Sequence, residues 1–250
     1  MLPPQQKTLE TYRSRSIVGV SDEMVAFDRL KRSFECINVL SDAELELVRD
    51  ITKDVQYHPV NKTLWMIGAP PPPPRIMVSG WACRYQETSS GERQIMCLLL
   101  PGDFITPPLE PRLPSSCGVA ALTELETVSA KALVDAVKTE SGYPTLARAT
   151  LYAAHLQDVL LCEQIIRLTR QSADQRFIHL MIELHNRLIR IGLAQENNFA
   201  LPLTQETLAN VLGLSAVHLN RTLQQLRRLG TLKLARGIVT LLNRNSYSAD

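Results

Sequence analysis

The sequence predicts an α+β fold: an N-terminal antiparallel β-roll, one long helix, and a C-terminal set of short helices closed by a hairpin. Three observations predict it. Gly68, Gly80, Gly91 and Gly102 punctuate short apolar runs between Val55 and Ser129, the rhythm of antiparallel strands joined by turns. Pro144 stands where the first turn of a long helical pattern begins, and that pattern reaches about Arg170. Beyond Leu203, two short helical patterns meet at Gly213 and give way to strand-like alternation.

Residues 1–33 read as a polar, irregular lead-in. Ser41 with Glu44 then forms a capping box opening a short helix that turns Leu45 and Val48 inward. The predicted strands of the roll are Leu64–Ile67, Ile76–Val78, Ala82–Tyr85, Ile95–Leu100, Phe104–Ile105 and Leu125–Val128. The five prolines Pro70–Pro74 must run extended and cannot donate to a ladder, so they belong in a loop, with a proline-rich recognition motif as the alternative. Ser129 caps a short helix through Val137.

In the long helix, Leu146, Ala149, Ala153, Leu156 and Leu160 recur at spacings of three and four. This stripe suits a coiled-coil-like dimer seam against a second copy, or equally a helix packed on its own domain. Ser172 with Gln175 opens the next helix, whose core side carries Phe177, Leu180, Met181, Leu184 and Leu188, and Gly192 ends it. The chain thus divides into a lead-in (1–33), a β-roll (34–138), a long helix (139–171) and a C-terminal domain (172–250).

Composition narrows the function classes. With 45% hydrophobic and 21% charged residues the chain folds, and its net charge of +2 gives no whole-molecule pull on nucleic acid. The local distribution does. Ala216 to Asn245 holds six Lys or Arg residues, Arg221, Arg227, Arg228, Lys233, Arg236 and Arg244, and no acid. The N-terminus lacks the apolar core of a signal peptide and no apolar run is long enough to span a membrane, so a cytoplasmic protein without a membrane partner is expected. The five cysteines lie far apart in sequence, against a zinc knuckle or disulfide framework, and are expected mostly in the core. The motifs HExxH, GxxxxGK, GxSxG and GxGxxG are absent, which points away from an enzyme.

The segment from Leu203 to Gly230 carries the chemistry. Thr204 is an N-cap, Leu208, Val211 and Leu212 give the first helix an apolar face, and Gly213 ends it. Leu214 plugs the turn, Ser215 caps the second helix, and Leu219, Leu223 and Leu226 bury it. That commitment leaves Val217, Asn220, Arg221 and Gln224 together on the opposite face. Arg forks onto guanine, Asn and Gln pair with adenine, and Val meets a thymine methyl, so this face has base-reading chemistry. A solvated polar face is the bland alternative. The caps, the glycine turn, the leucine spacing and the acid-free basic stretch occurring together favour recognition of double-stranded DNA. Leu232 to Leu242 reads as a hairpin with Lys233 and Arg236 at its tip, a wing beside the reading helix. Thr204, Ser215, His218, Arg227, Arg228, Lys233 and Arg236 are the phosphate-contact candidates, with Arg244 beside them.

A β-roll, long helix and winged helix-turn-helix in this order resemble the Crp/Fnr regulators from about Glu35 to Asn245. Ser79-Gly80 before Ala82–Tyr85, and Leu100-Pro101-Gly102-Asp103-Phe104, are similar to that family's turns. The resemblance implies a cyclic-nucleotide-binding-like sensor roll and a homodimer joined through the long helix. It further implies two reading helices on a near-palindromic promoter site, and contact with RNA polymerase. Where cyclic-nucleotide members have a Gly-Glu pair and an Arg-Ser step, the chain has Gly102-Asp103 and Ser115-Ser116, which mark a possible effector pocket. Without an arginine at the second step, and with Arg112 three residues early, cyclic AMP is not expected. Cys36 alone stands where iron–sulfur members cluster cysteines, so no such cluster is expected either, and no metal site is assigned. Val217 stands where many relatives carry an acid that accepts from cytosine, whereas Arg221 fits the guanine-reading arginine. The alternative is a signal-binding or scaffold protein whose helix-turn-helix serves protein contacts.

Overall fold

The computed structural model describes residues 22–89, 91, 93–106, 114–139 and 142–242. Arg112, Arg244 and residues 1–21 of the lead-in lie outside the described residues. Two compact units form, one within 19–162 and the other within 163–250.

The first unit begins with a helix rather than irregular chain. Helix α1, Asp22–Glu35, carries Ala26, Leu30 and Phe34 fully into the core, which corrects the expectation of an unstructured lead-in up to residue 33. The four-residue spacing of those three side chains is one helical stripe; the polar residues between them obscured it. Helix α2, Asp42–Ile51, starts at the predicted capping box, with Ser41 Oγ accepting from Glu44 N and the Glu44 carboxylate accepting from Ser41 N at 2.9 Å.

The roll consists of two antiparallel sheets. One has the order β1 (Val55–His58), β7 (Leu125–Ser129), β3 (Arg75–Ser79); the other has β2 (Thr63–Trp65), β6 (Gly118–Ala121), β4 (Ala82–Glu87), β5 (Arg93–Leu99). Strand β3 shows how the core is divided. Ile76 and Val78 face a cluster built with Leu30, Phe34, Val48 and Val128. Met77, between them, faces the cluster of Trp65, Leu99, Val119 and Leu125. The period of two thus sends alternate residues to two cores.

Strands β1 and β6 were not legible as separate runs, because Val55–His58 has one aliphatic residue and Gly118–Ala121 is mostly small. Phe104 makes only an isolated bridge to Ile76, so the predicted Phe104–Ile105 strand is a turn-end contact. Pro70–Pro74 lies between β2 and β3 as a loop, pinned by Trp65 Nε1 donating to the carbonyls of Ala69 and Pro70 at 3.2 and 3.1 Å.

Helix α3 spans Lys131–Thr139 and the long helix α4 spans Pro144–Arg170. The N-terminus of α4 is held by Glu44. That carboxylate, on a residue only 1% exposed, accepts from Thr145 N at 2.7 Å and Leu146 N at 2.9 Å, so one side chain closes two helix starts. Burial works to raise the Glu44 pKa, but the hydrogen bonds from Ser41, Leu146 and Thr145 outweigh it and hold the carboxyl below its usual value.

The second unit contains α5 (Ala173–Arg190), β8 (Asn198–Ala200), α6 (Gln205–Leu212), α7 (Ala216–Arg228) and the hairpin β9 (Leu232–Ala235) and β10 (Ile238–Leu241). The Ser172–Gln175 capping box is present, and Phe177, Leu180, Met181, Leu184 and Leu188 are all buried as expected. Strand β8 was not anticipated. It pairs with β10 to make a three-stranded sheet of order β8-β10-β9. Arg236 and Gly237, at φ of 52° and 74°, form the two-residue turn of the hairpin, both in the left-handed region that such turns require. Among the described residues no helix is long and apolar enough to cross a membrane.

Candidate nucleic-acid interface

The two-helix unit is built by its caps. Thr204 Oγ1 accepts from Thr207 N at 3.0 Å to start α6, and Ser215 Oγ accepts from His218 N at 3.2 Å to start α7. Between them Gly213 adopts φ 60°, ψ 41° and returns its N–H to Ala209, a left-handed C-cap that costs a residue with a Cβ more than glycine. Leu208, Val211 and Leu212 of α6 and Leu219, Leu223 and Leu226 of α7 are at most 2% exposed. Thr222, unmarked in the sequence reading, is buried beside them.

This packing leaves Val217, Asn220, Arg221 and Gln224 exposed, with Val217 62% accessible. The structure therefore gathers all four base-reading candidates on the solvent side of α7. The phosphate candidates Thr204, Ser215, His218, Arg227, Arg228, Lys233 and Arg236 are exposed as well. Thr204 and Ser215 use their side-chain oxygens as helix caps. Arg227 donates from Nη2 to the Leu234 carbonyl at 3.2 Å, joining the last turn of α7 to the wing strand.

Contacts that no local sequence signal marked brace this unit. Gln164 Nε2 donates to the Val211 carbonyl at 2.6 Å, and Arg176 Nη1 to the Leu212 carbonyl at 3.0 Å, so two of the last carbonyls of α6 are capped from α4 and α5. Arg167, 4% exposed, pairs with Glu183 at 2.6 Å, and Glu183 also meets Arg187 at 3.5 Å. Buried charges of this kind need each other. A cleft of about 630 Å³ opens between the start of α5 and α7, bringing Ser172 and Asp174 alongside Val217, Arg221 and Gln225. The capping box at Ser172 was visible in the sequence, but its neighbour in space was not.

The other two predicted sites fare differently. Leu146 and Ala149 are 0% and 4% exposed and lie in the core that contains Leu30 and Val128, with Ala153 packed against it. Leu156 is half-buried and Leu160 buried. For Leu146, Ala149 and Ala153 this is the second of the two readings of the stripe, a helix face packed on its own domain. The exposed apolar residues of α4 are instead Leu151 (59%), Val159, Ile165 (62%) and Ile166. His155 and Cys162 are exposed with them. Leu151 comes five residues after Leu146, about 140° further round the helix.

The effector-pocket residues are held by separate neighbours. Gly102 donates to the Met77 carbonyl at 2.8 Å and abuts α1 so closely that a Cβ there would stand 2.1 Å from Ser33 Oγ. Asp103 Oδ2 accepts from Leu100 N at 2.8 Å. Ser115 exchanges backbone bonds with Gly68 and Ala69, and its hydroxyl accepts from Cys117 N at 3.2 Å. Ser116 is exposed. Each pair serves its own turn. Cys83 and Cys97 are buried, Cys117 is intermediate, and Cys36 and Cys162 are exposed, so the core accounts for only part of the cysteines.

Comparison with known proteins bears on this geometry. Residues 175–246 match the model of the Crp-like helix-turn-helix domain, and the fold from roll to wing is that of solved regulators of the Crp/Fnr type. The C-terminal part of the chain carries a Crp-like helix-turn-helix domain. Over 160 residues it is 28% identical to the nitrogen fixation regulation protein FixK of Bradyrhizobium diazoefficiens. That match takes in 64% of this chain and spans 65% of the length of that curated relative. The structure of FixK2 from Bradyrhizobium japonicum superposes with a TM-score of 0.66 at 22% identity, covering 77% of this chain and 94% of that one. A CRP/FNR-family transcriptional regulator from Thermus thermophilus superposes with a TM-score of 0.55 at 16% identity, over 76% and 93%. At these identities the solved structures speak for the fold, and the domain match speaks for the Crp/Fnr helix-turn-helix.

Proposed function

We propose that this protein is a transcription regulator of the Crp/Fnr type that binds a near-palindromic double-stranded DNA site as a homodimer. The observation that carries the reading is the solvent face of α7. Four side chains with base-reading chemistry stand free there, while the leucines on the other side are fully buried. Arg221 reads guanine, Asn220 and Gln224 are the adenine partners, and Val217 meets a thymine methyl. Arg228, Lys233 and Arg236 flank this face with positive charge for the backbone.

Homodimer formation uses the second apolar face of α4. Leu151, His155, Cys162, Ile166 and Thr169 follow one another by four, seven, four and three residues, the spacing of a seam between two parallel helices. Two copies joined there present two reading helices to successive major grooves. The protein acts in the cytoplasm, at promoters, with RNA polymerase as its partner. Cyclic AMP is not its signal: no arginine accompanies Ser115 and Ser116, and the Ser115 hydroxyl is engaged by Cys117.

Titrating the full-length protein onto duplex DNA at increasing salt tests the reading. Affinity is expected to fall steeply with salt, with a log–log slope of about −0.9 per phosphate neutralised. Binding that ignores salt and survives Arg221→Ala would favour a protein-contact role for the helix-turn-helix.

A further inference from the structure

The cleft between α5 and α7 is built for an anion in every respect but one. Helices of 18 and 13 residues both point their N-termini at it, and the first N–H groups of a helix carry partial positive charge. Ser172 and Ser215 each satisfy one N–H, the third of their helix. Arg221 adds a full cation from α7. The cleft shares Val217 and Arg221 with the reading face, which puts it within reach of a phosphodiester backbone lying along that face. Yet the cleft also contains a carboxylate, Asp174, and Gln225 Nε2 donates to its Oδ2.

Asp174 is not needed to cap α5, since the Ser172–Gln175 box already does so. The hydrogen bond from Gln225 ties its carboxylate to the reading helix at the surface. We propose that Asp174 is an electrostatic brake on DNA binding. It opposes the approach of backbone phosphates, so every duplex is held less tightly than the cations of α7 and the wing alone would hold it. This rests on the reading of α7 as the DNA-reading helix, and it makes Asp174 a residue that tunes affinity while touching no base.

The test compares the full-length protein with Asp174→Asn, which keeps the shape and the Gln225 contact but removes the charge. Affinities for a random-sequence duplex and for a duplex bearing the selected site are measured at about 50 and 200 mM salt. The variant is expected to bind the random duplex on the order of threefold more tightly at low salt. It gains by a similar factor on the selected site, and its advantage shrinks at the higher salt. A thermal melt separates any loss of α5 stability from the binding effect. Equal affinities for both duplexes, a loss of affinity, or a change confined to one base-pair preference would each overturn the proposal, the last by making Asp174 a cytosine acceptor. If Arg221→Ala weakens binding while Asp174→Asn does not alter it, only the brake fails. If neither protein binds duplex DNA, the DNA reading fails and the brake with it.

Discussion

Arg227 donates from its guanidinium to the carbonyl of Leu234 at 3.2 Å, so the end of α7 and the first wing strand are tied by a side chain that is also exposed to solvent. Two roles follow for one residue, and they separate by substitution. Arg227→Lys keeps the charge but loses the planar reach to the carbonyl; Arg227→Ala loses both. DNA affinity is expected to fall modestly in the lysine variant and further in the alanine variant, with a salt slope shallower by about one unit in the alanine variant alone. Equal losses and equal slopes in the two variants would contradict a phosphate role.

The long helix has one buried and one exposed apolar face. Leu146→Ala empties a fully buried site and is expected to cost about 2–5 kcal/mol of stability, read by chemical denaturation. Leu151→Glu with Ile166→Glu touches exposed positions and is expected to leave the fold intact while converting a dimer to monomers in sedimentation. A dimer that survives the double glutamate variant would place the seam elsewhere.

How far these faces were legible in the sequence is instructive. The three-and-four spacing of Leu146, Ala149, Ala153, Leu156 and Leu160 reports only that a face is apolar, not what covers it. It was covered from within the chain, in part by α1, a helix that the polar texture of residues 22–33 concealed. By contrast Thr204, Gly213 and Ser215 act through atoms close to them in sequence, and each cap and turn was readable residue by residue. Gln164, Arg167 and Asp174 act on residues between 16 and 51 positions away, so no local pattern marks them. The short strands β1, β6 and β8 draw their order from pairing partners rather than from their own residues.

Glu44 gives the fold a defined response to acid. Its folded-state pKa is lowered, so the stabilisation is present above the unfolded carboxyl pKa and is lost as pH falls through the folded value. Glu44→Gln is expected to lower stability at neutral pH and to flatten the acid limb of the stability profile below about pH 4.5. An unchanged acid limb in the variant would show that other carboxylates control it.

The Arg167–Glu183 pair is buried at the junction of α4 with α5. Glu183→Ala removes the carboxylate that Arg167 pairs with and is expected to cost about 3–5 kcal/mol, measured by thermal or denaturant unfolding. A loss below about 1 kcal/mol would mean that water reaches the pair.

Thiol labelling of the native protein should find Cys36 and Cys162 fast and Cys83 silent, since burial pushes the Cys83 thiol up to about 12. Labelling of Cys162 is further expected to slow at high protein concentration, where the α4 seam closes over it.

The central claim is that the exposed face of α7 reads DNA sequence. Selection of binding sites from random duplex DNA, with the full-length protein and with Arg221→Ala, tests it most directly. The account predicts an enriched near-palindrome whose half-sites lie about one helical turn apart, with a guanine preference that Arg221→Ala erases. Enrichment of the same sequence by both proteins, or of none by either, would contradict it.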